Sequence, residues 1–316
     1  MKLQLFSPAK INLRLKVCGR RGDGFHLLSM LNTTVAWGDD IEIVWEDGAD
    51  LSLTVTSDVA LPEGFAGTES NLAARAVREF LRSFQLRASV KIGLHKRIPV
   101  GGGLGGGSSN AGTILRALAK QFLGGPEGQL EPRMRERLYA LASALGADVP
   151  FFLENGPARV TGIGEVVEPL AGNIFQDAEI YLVLPPFGTD TKKVYRDYRQ
   201  CYPELDAESD TALSGWVSEL GSSRQGAPPA WRSVRRLVEN DLSDVVFRSY
   251  PALAALFSAL RDVHGLELGL SGSGSTIFLL PNELRAIDRV LEERLYKVAK
   301  QHSAVVKRVK LLSVPI

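Results

Sequence analysis

Cysteine is almost absent from this chain: Cys18 and Cys201 are the only two in 316 residues. Two thiols cannot form a disulfide framework, and a reducing, cytoplasmic setting is expected. Neither lies in a CxxC pair or beside a histidine, so both read as ordinary small residues. Histidine is nearly as scarce, and His26, His95, His264 and His302 fall in no metal-ligand spacing, which argues against a protein-held zinc or iron site. No sign of charge dominates, with 37 Lys+Arg against 36 Asp+Glu. That balance argues against nucleic acid or an anionic membrane as the main partner. No apolar run approaches the roughly 20 residues that span a bilayer. Lys10 and Arg14 interrupt any apolar core at the start of the chain, so no signal peptide is expected.

Glycine, by contrast, is concentrated. Lys96 to Ala111 reads KRIPVGGGLGGGSSNA, with six glycines among the seven residues from Gly101 to Gly107. Glycine loses conformational entropy on folding, but it permits positive φ and lets backbone N–H groups converge on an anion. An alternating segment precedes the run (Val90, Ile92 and Leu94 within Ser89 to Leu94). A helical pattern follows it, with Ala111, Ile114, Leu115, Leu118 and Phe122 on one face and Ser108 or Ser109 as the expected cap. Strand, glycine loop and helix N-terminus together make a phosphate site. The loop is not a Walker A loop, because Gly107 stands where lysine is required. It satisfies GxGxxG at Gly101, Gly103 and Gly106, but six glycines match that pattern by accident, and no acidic residue ends a second strand about 20 residues on. A flexible linker would not be bracketed by a strand and an amphipathic helix.

The length suggests two domains at the usual ~100 to 200 residues each. The pattern is mixed α/β. Strands are expected over Ile11 to Val17, Leu27 to Trp37, Ile41 to Trp45 and Leu51 to Val55, opening the chain as a β meander. Helices are expected over Asn71 to Phe84, Arg133 to Leu145, Pro251 to Val263 and Glu283 to Lys300. Ile180 to Leu184 and Val305 to Leu312 read as strands, and Gly221 to Pro229 as an exposed loop. Leu266 to Leu280 reads as two short strands around a second glycine-serine element, Ser271 to Ser275. That element is either a tight hairpin or a second loop facing the same anion.

Three motifs occur in order: PAKINLRL (Pro8 to Leu15), PVGGGLGGGSSNAG (Pro99 to Gly112) and LSGSGSTIF (Leu270 to Phe278). Together they resemble the galactokinase, homoserine kinase, mevalonate kinase and phosphomevalonate kinase (GHMP kinase) superfamily over nearly the whole chain. GRRGDGFH (Gly19 to His26), GADVPFFL (Gly146 to Leu153) and NDL (Asn240 to Leu242) are similar to one branch of it. That branch phosphorylates a cytidine-diphosphate derivative of methylerythritol in non-mevalonate isoprenoid biosynthesis.

The resemblance implies an α+β, two-domain GHMP kinase fold. An amino-terminal, ribosomal-protein-like ATP-binding domain would cover residues 1–160, and a carboxy-terminal, ferredoxin-like substrate domain residues 161–316, with the active site in the cleft between them. It implies ATP and Mg2+ as cofactors and a small-molecule substrate, and leaves the oligomeric state open. The catalytic residues it implies are Lys10 and Asp148, the aspartate as base and the lysine offsetting developing charge. Outside their motifs, Lys10 reads equally as a solvated lysine at a strand end and Asp148 as a turn aspartate. The triphosphate cradle carries over to Pro99, Val100, Gly101, Gly102, Gly103, Leu104, Gly105, Gly106, Gly107, Ser108 and Ser109, joined by Gly272 and Ser273. Lys96 and Asn71 match positions near the adenine, with an exposed strand lysine and a helix N-cap as the alternatives. Asn12 and His26 match the partners of the cytosine edge, and Phe25 and Tyr195 the aromatics on its ring. Phe25 stands where GDGYH has tyrosine, and Tyr195 reads alternatively as a helix core residue. Thr189 and Thr191 would line the same region.

Overall fold

The computed structural model describes residues 2–124, 130–175, 178–204, 209–222, 231–283 and 287–312. The chain falls into two compact units that alternate along the sequence. The first comprises Met1–Ala9, Trp37–Val100 and Gly105–Asn155, and the second Lys10–Ala36, Gly101–Leu104 and Gly156–Ile316. Two long strands, β1 (Lys2–Arg20) and β2 (His26–Glu46), contribute residues to both. The expected strands Leu27 to Trp37 and Ile41 to Trp45 thus run on as one.

In the first unit, β3 (Leu51–Ser57) does not continue a meander. It pairs in parallel with β4 (Ser89–Lys96), from Leu51↔Val90 to Ser57↔Lys96, and β4 pairs antiparallel with β2, from Asp40↔His95 to Glu46↔Ser89. The reason is the intervening helix α1 (Leu72–Ser83). A parallel pair needs a crossover of a dozen or more residues, and α1 supplies it. Val90, Ile92 and Leu94 of β4 are buried while Lys91 is exposed, as their alternation requires. Against them pack Phe80 of α1, Ile114, Leu115 and Leu118 of α2 (Gly106–Phe122), and Leu138 of α3 (Pro132–Leu145). Each such side chain contributes about 1.5–3 kcal/mol on burial.

Neither Ser108 nor Ser109 caps α2. The cap is Gly105, in the left-handed region at φ 66°, with no side-chain cap bond. The glycine loop itself turns into the helix, and both serines lie in its first turn. The unit ends with the short helix α4 (Phe151–Glu154).

In the second unit, β8 (Glu239–Asn240) lies parallel to β1 through Arg14↔Glu239 and Leu15↔Asn240. β5 (Ala158–Thr161) pairs with β2 and with β6 (Val166–Pro169). A separate antiparallel sheet has the order β11-β7-β10-β9, built from β7 (Glu179–Leu184), β9 (Leu266–Leu270), β10 (Ile277–Pro281) and β11 (Val305–Lys310). Among its helices are α5 (Thr191–Cys201), α6 (Thr211–Ser222), α7 (Trp231–Arg235), α8 (Ser243–Ser249), α9 (Pro251–Arg261) and α10 (Arg289–Gln301). α10 starts later than its periodicity suggests, because the Asp288 side chain accepts from Leu291 N and caps it there. Of the expected loop Gly221 to Pro229, Gly221 and Ser222 close α6, and residues 223–229 lie outside the described residues.

Candidate active site

The first glycine run is divided between the two units, Gly101–Leu104 in the second and Gly105 onward in the first. In the second unit, Gly101 and Gly103 adopt φ near 73° and 74°. Their backbone interlocks with the second glycine-serine element: Thr276 N donates to Gly102 O (3.1 Å), Ser271 Oγ to Gly103 O (2.9 Å) and Thr189 N to Gly101 O (2.9 Å). Gly103 has no room for a side chain, since a Cβ would fall 2.1 Å from Ser271 O and 2.7 Å from Gly274 O. Ser271–Ser275 is the turn of the β9–β10 hairpin and lies beside the first loop. Its Ser273 pairs with Thr191 (Oγ to Oγ1, 2.8 Å), and Ser273 O accepts from Thr189 Oγ1 (2.9 Å).

Lys10 and Asn12 stand at this junction. The buried Lys10 Nζ donates to Asn12 Oδ1, and Lys10 N donates to Leu104 O (3.0 Å). A Cβ added to Gly272 would lie 3.1 Å from Asn12 Oδ1 and 3.6 Å from Lys10 Nζ, so the third motif sits directly against this pair. Asn12 Nδ2 donates to Asn32 Oδ1 (2.7 Å). Asn240 fixes Gly272 from behind, its amide donating to Leu270 O (2.8 Å) and Gly272 O (2.7 Å) while its Oδ1 accepts from Leu242 N. The sequence singles out NDL only by resemblance, and this bracing of the third motif is the role it left unread.

In the first unit, a buried polar network supports the start of α2. The Lys96 ammonium donates to the Asp39 carboxylate and to Asn110 Oδ1 (3.4 Å). Asn110 Nδ2 donates to Asp39 Oδ2 and to Ser7 Oγ (both 2.9 Å), and Ser109 Oγ donates to Pro8 O (2.6 Å). Asp39 also accepts from Arg97 N and Ile98 N. Burial pulls the Lys96 pKa below that of an ordinary lysine, against the opposing pull of Asp39. Lys96 is therefore no exposed strand lysine: its head lies beneath the loop, 3.1 Å from where a Gly106 Cβ would be. Asn71 is the N-cap of α1, accepting from Ala73 N and donating to Phe65 O. Pro99 and Val100 lead into the loop, Val100 exposed. Asp148 lies partly buried in the turn before α4. That turn packs on α2 at Gly112, where a Cβ would fall 2.5 Å from Phe152 Cβ.

In the second unit, His26 is buried, stacked on Tyr195 (centroids 5.4 Å apart, 30° between planes) and edge-on to Tyr198. Val194 and Tyr198 form the buried side of α5, leaving Tyr195 partly exposed against His26. Burial, then the charges of Arg20 and Arg199, hold the His26 pKa below the ordinary 6.5. Phe25 is 56% exposed. Among the described residues, no three His, Cys, Asp or Glu are grouped to hold a metal ion, and no helix is long and apolar enough to cross a membrane.

The two halves of this arrangement match the GHMP kinases, with the GHMP kinases N terminal domain model covering residues 71–156 and the GHMP kinases C terminal model residues 228–298. A 4-diphosphocytidyl-2-C-methyl-D-erythritol kinase from Chromobacterium violaceum is 35% identical over 93% of this chain and 90% of its own length. One from Chlorobium phaeobacteroides is 36% identical over 88% of each. A crystal structure of 4-(cytidine 5'-diphospho)-2C-methyl-D-erythritol kinase superposes with a TM-score of 0.69 at 30% identity, covering 98% of this chain and 99% of that one. A homoserine kinase from Cytophaga hutchinsonii shares the fold, with a TM-score of 0.66 at 17% identity over 99% of this chain and 96% of its own. The chain belongs to the GHMP kinases, in the 4-diphosphocytidyl-2-C-methyl-D-erythritol kinase family.

Proposed function

We propose that this protein transfers the γ-phosphoryl group of ATP to the 2-hydroxyl of 4-diphosphocytidyl-2-C-methyl-D-erythritol, giving the 2-phosphate and ADP. The observation that carries the reading is the meeting of all three family motifs in one hydrogen-bonded cluster: Lys10 and Asn12 from the first, Gly101 to Leu104 from the second and Gly272 from the third. Relatives across most of the chain supply the acceptor.

The roles follow from what phosphoryl transfer needs: an oriented hydroxyl, an acceptor for its proton and positive charge on the phosphates. The acceptor oxygen bonds to the γ-phosphorus as the bond to the departing ADP oxygen breaks, and the hydroxyl proton passes to the Asp148 carboxylate. The Lys10 ammonium supplies the cation that the glycine loop lacks. Backbone N–H groups from Gly101 to Ser109, with Gly272 and Ser273, hold the triphosphate. Asn71 and Lys96 support the adenine end, Lys96 from beneath the loop. Mg2+ bound with the nucleotide would neutralise phosphate charge, and a loop serine would be the protein residue to hold it. Asn12 and His26 bond the cytosine edge, Tyr195 and Phe25 face its ring, and Thr189 and Thr191 border it. Residues 1–160 form the nucleotide domain in this reading and 161–316 the substrate domain, and the reaction takes place in the cytoplasm.

The test is ADP release from MgATP with the cytidylated substrate, mevalonate and homoserine offered in parallel. Turnover confined to the cytidylated substrate is expected. Turnover with mevalonate or homoserine instead overturns the acceptor, and turnover with none overturns the reading.

A further inference from the structure

Away from these residues, the first unit holds a cavity of about 420 Å³ among α2, α3 and α4. This lies within the range of small-molecule sites, about 300–1,000 Å³. Its walls divide by chemistry. Ala119, Leu130, Leu138 and Leu153 supply an apolar floor, while Arg116, Lys120 and Arg135 bring three cations and Glu154 one carboxylate. The lining thus carries a net charge of two positive (three cations less one anion).

The arrangement of those charges is uneven. Glu154 Oε1 accepts from Arg135 (2.8 Å) and from the Tyr139 hydroxyl. Arg116, partly buried on α2, makes no hydrogen bond or ion pair among the described residues. Burial works against its charge, and the field of Glu154 compensates only in part. The donor nitrogens of Arg116 are not sealed from solvent, and a partly desolvated guanidinium without a fixed carboxylate partner is often replaceable by an apolar residue of similar size at little cost in stability. A fork of N–H donors over an apolar floor matches an oxyanion carried on an apolar body. A phosphomonoester, carrying about −1.5 to −2 charge at pH 7, balances the lining.

We propose that this cavity binds a small phosphomonoester with an apolar substituent, its phosphate on Arg116, Lys120 and Arg135 and its apolar part on Leu138 and Leu153. The proposal is independent of the phosphoryl-transfer site, whose residues it does not use.

The full chain with methyl-labelled leucines would be titrated with butyl phosphate, inorganic phosphate and butanol, reading the signals of Leu138 and Leu153, which line this cavity. Saturable shifts with butyl phosphate are expected, with affinity at least about tenfold above that for inorganic phosphate or butanol. Arg116→Met is expected to weaken butyl phosphate binding by about tenfold or more while its Tm stays close to that of the parent. Arg116→Lys, which keeps the charge and loses the fork, gives the same comparison should the methionine variant not fold. Unmoved leucine signals in the parent overturn the site, as does unchanged affinity in the Arg116 variants. Equal binding of inorganic phosphate overturns the apolar substituent.

Discussion

Gly112 of α2 and Phe152 of α4 are in contact only because Gly112 has no side chain: a Cβ there would meet Phe152 Cβ at 2.5 Å and Val149 O at 3.1 Å. Both belong to the unit that carries Asp148 in the turn just before Phe152. Gly112→Ala would gain helix propensity of about 0.8–1.0 kcal/mol, yet overpacking against backbone costs about 1–3 kcal/mol. The net expectation is a loss of up to about 2 kcal/mol in urea unfolding, together with a fall in kcat as the Asp148 turn is pushed away from α2. A variant at least as stable as the parent, with full turnover, would show that this contact does not position the turn.

Asp148→Asn keeps the size of the side chain and removes its basicity. Under the proposed reaction kcat falls by about 100- to 10,000-fold with KM for ATP nearly unchanged. Near-normal turnover would remove Asp148 from the role of base.

The sequence announces what depends on near neighbours. Val90, Ile92 and Leu94 alternate with exposed Lys91 and are found in β4, and the glycine run is a loop opening a helix as its composition demands. What it hides depends on partners far along the chain. Ser109 reads as a cap, but its hydroxyl bonds to Pro8 O, 101 residues away. Lys96 reads as an exposed strand lysine or an adenine contact, and nothing local reveals Asp39, 57 residues before it, as its counter-ion. β3 follows β2 in sequence but lies beside β4, because α1 carries the chain across. Of the site itself, the motifs give the residue types, while the bracing by Asn240 and the stacking of His26 on Tyr195 emerge only in three dimensions.

Arg14 and Asp210 form a buried bidentate pair (2.8 and 2.9 Å). Burial acts to raise the Asp210 pKa, but the bonds from Arg14 and Leu213 N outweigh it and hold the carboxyl below its ordinary value. The unfolded chain therefore takes up the proton first, at about pH 3.9. The stabilisation is fully present above that pH and is lost as pH falls through the lower folded value. Asp210→Asn should cost about 3 kcal/mol near neutrality, the lower end for a broken buried pair, because Arg14 keeps Glu239. It should also flatten the acid limb of a stability-against-pH curve. An unchanged acid limb would assign that limb to other carboxylates.

Tyr195→Ala removes the ring stacked on His26. If that ring faces the cytosine, KM for the acceptor rises by about 5- to 150-fold, the range for one base-aromatic stack. KM for ATP stays level, and Tyr195→Phe restores binding. Because burial and the nearby arginines hold His26 neutral, acceptor KM should also be flat from pH 7 to 8. Equal rises in both KM values would indicate a structural role for Tyr195 instead.

Two glycines of the same loop separate folding from ligand binding. At Gly103, with φ near 74° and the Ser271 and Gly274 carbonyls within 2.7 Å of a built Cβ, alanine is excluded by the protein itself. Gly103→Ala should lower Tm and abolish activity together. Gly107 is exposed, in the first turn of α2, and its Cβ would meet nothing closer than Leu72 Cδ1 at 3.4 Å. By helix propensity alone, Gly107→Ala should leave stability unchanged or raise it by about 0.5–1 kcal/mol. If backbone N–H groups here approach the triphosphate, the same methyl obstructs them, and KM for ATP rises while Tm does not fall. The pair of measurements discriminates: a stable Gly107→Ala variant with unaltered KM would mean that the phosphates lie elsewhere on the loop, and a stable variant with a raised KM would place them against its helix end.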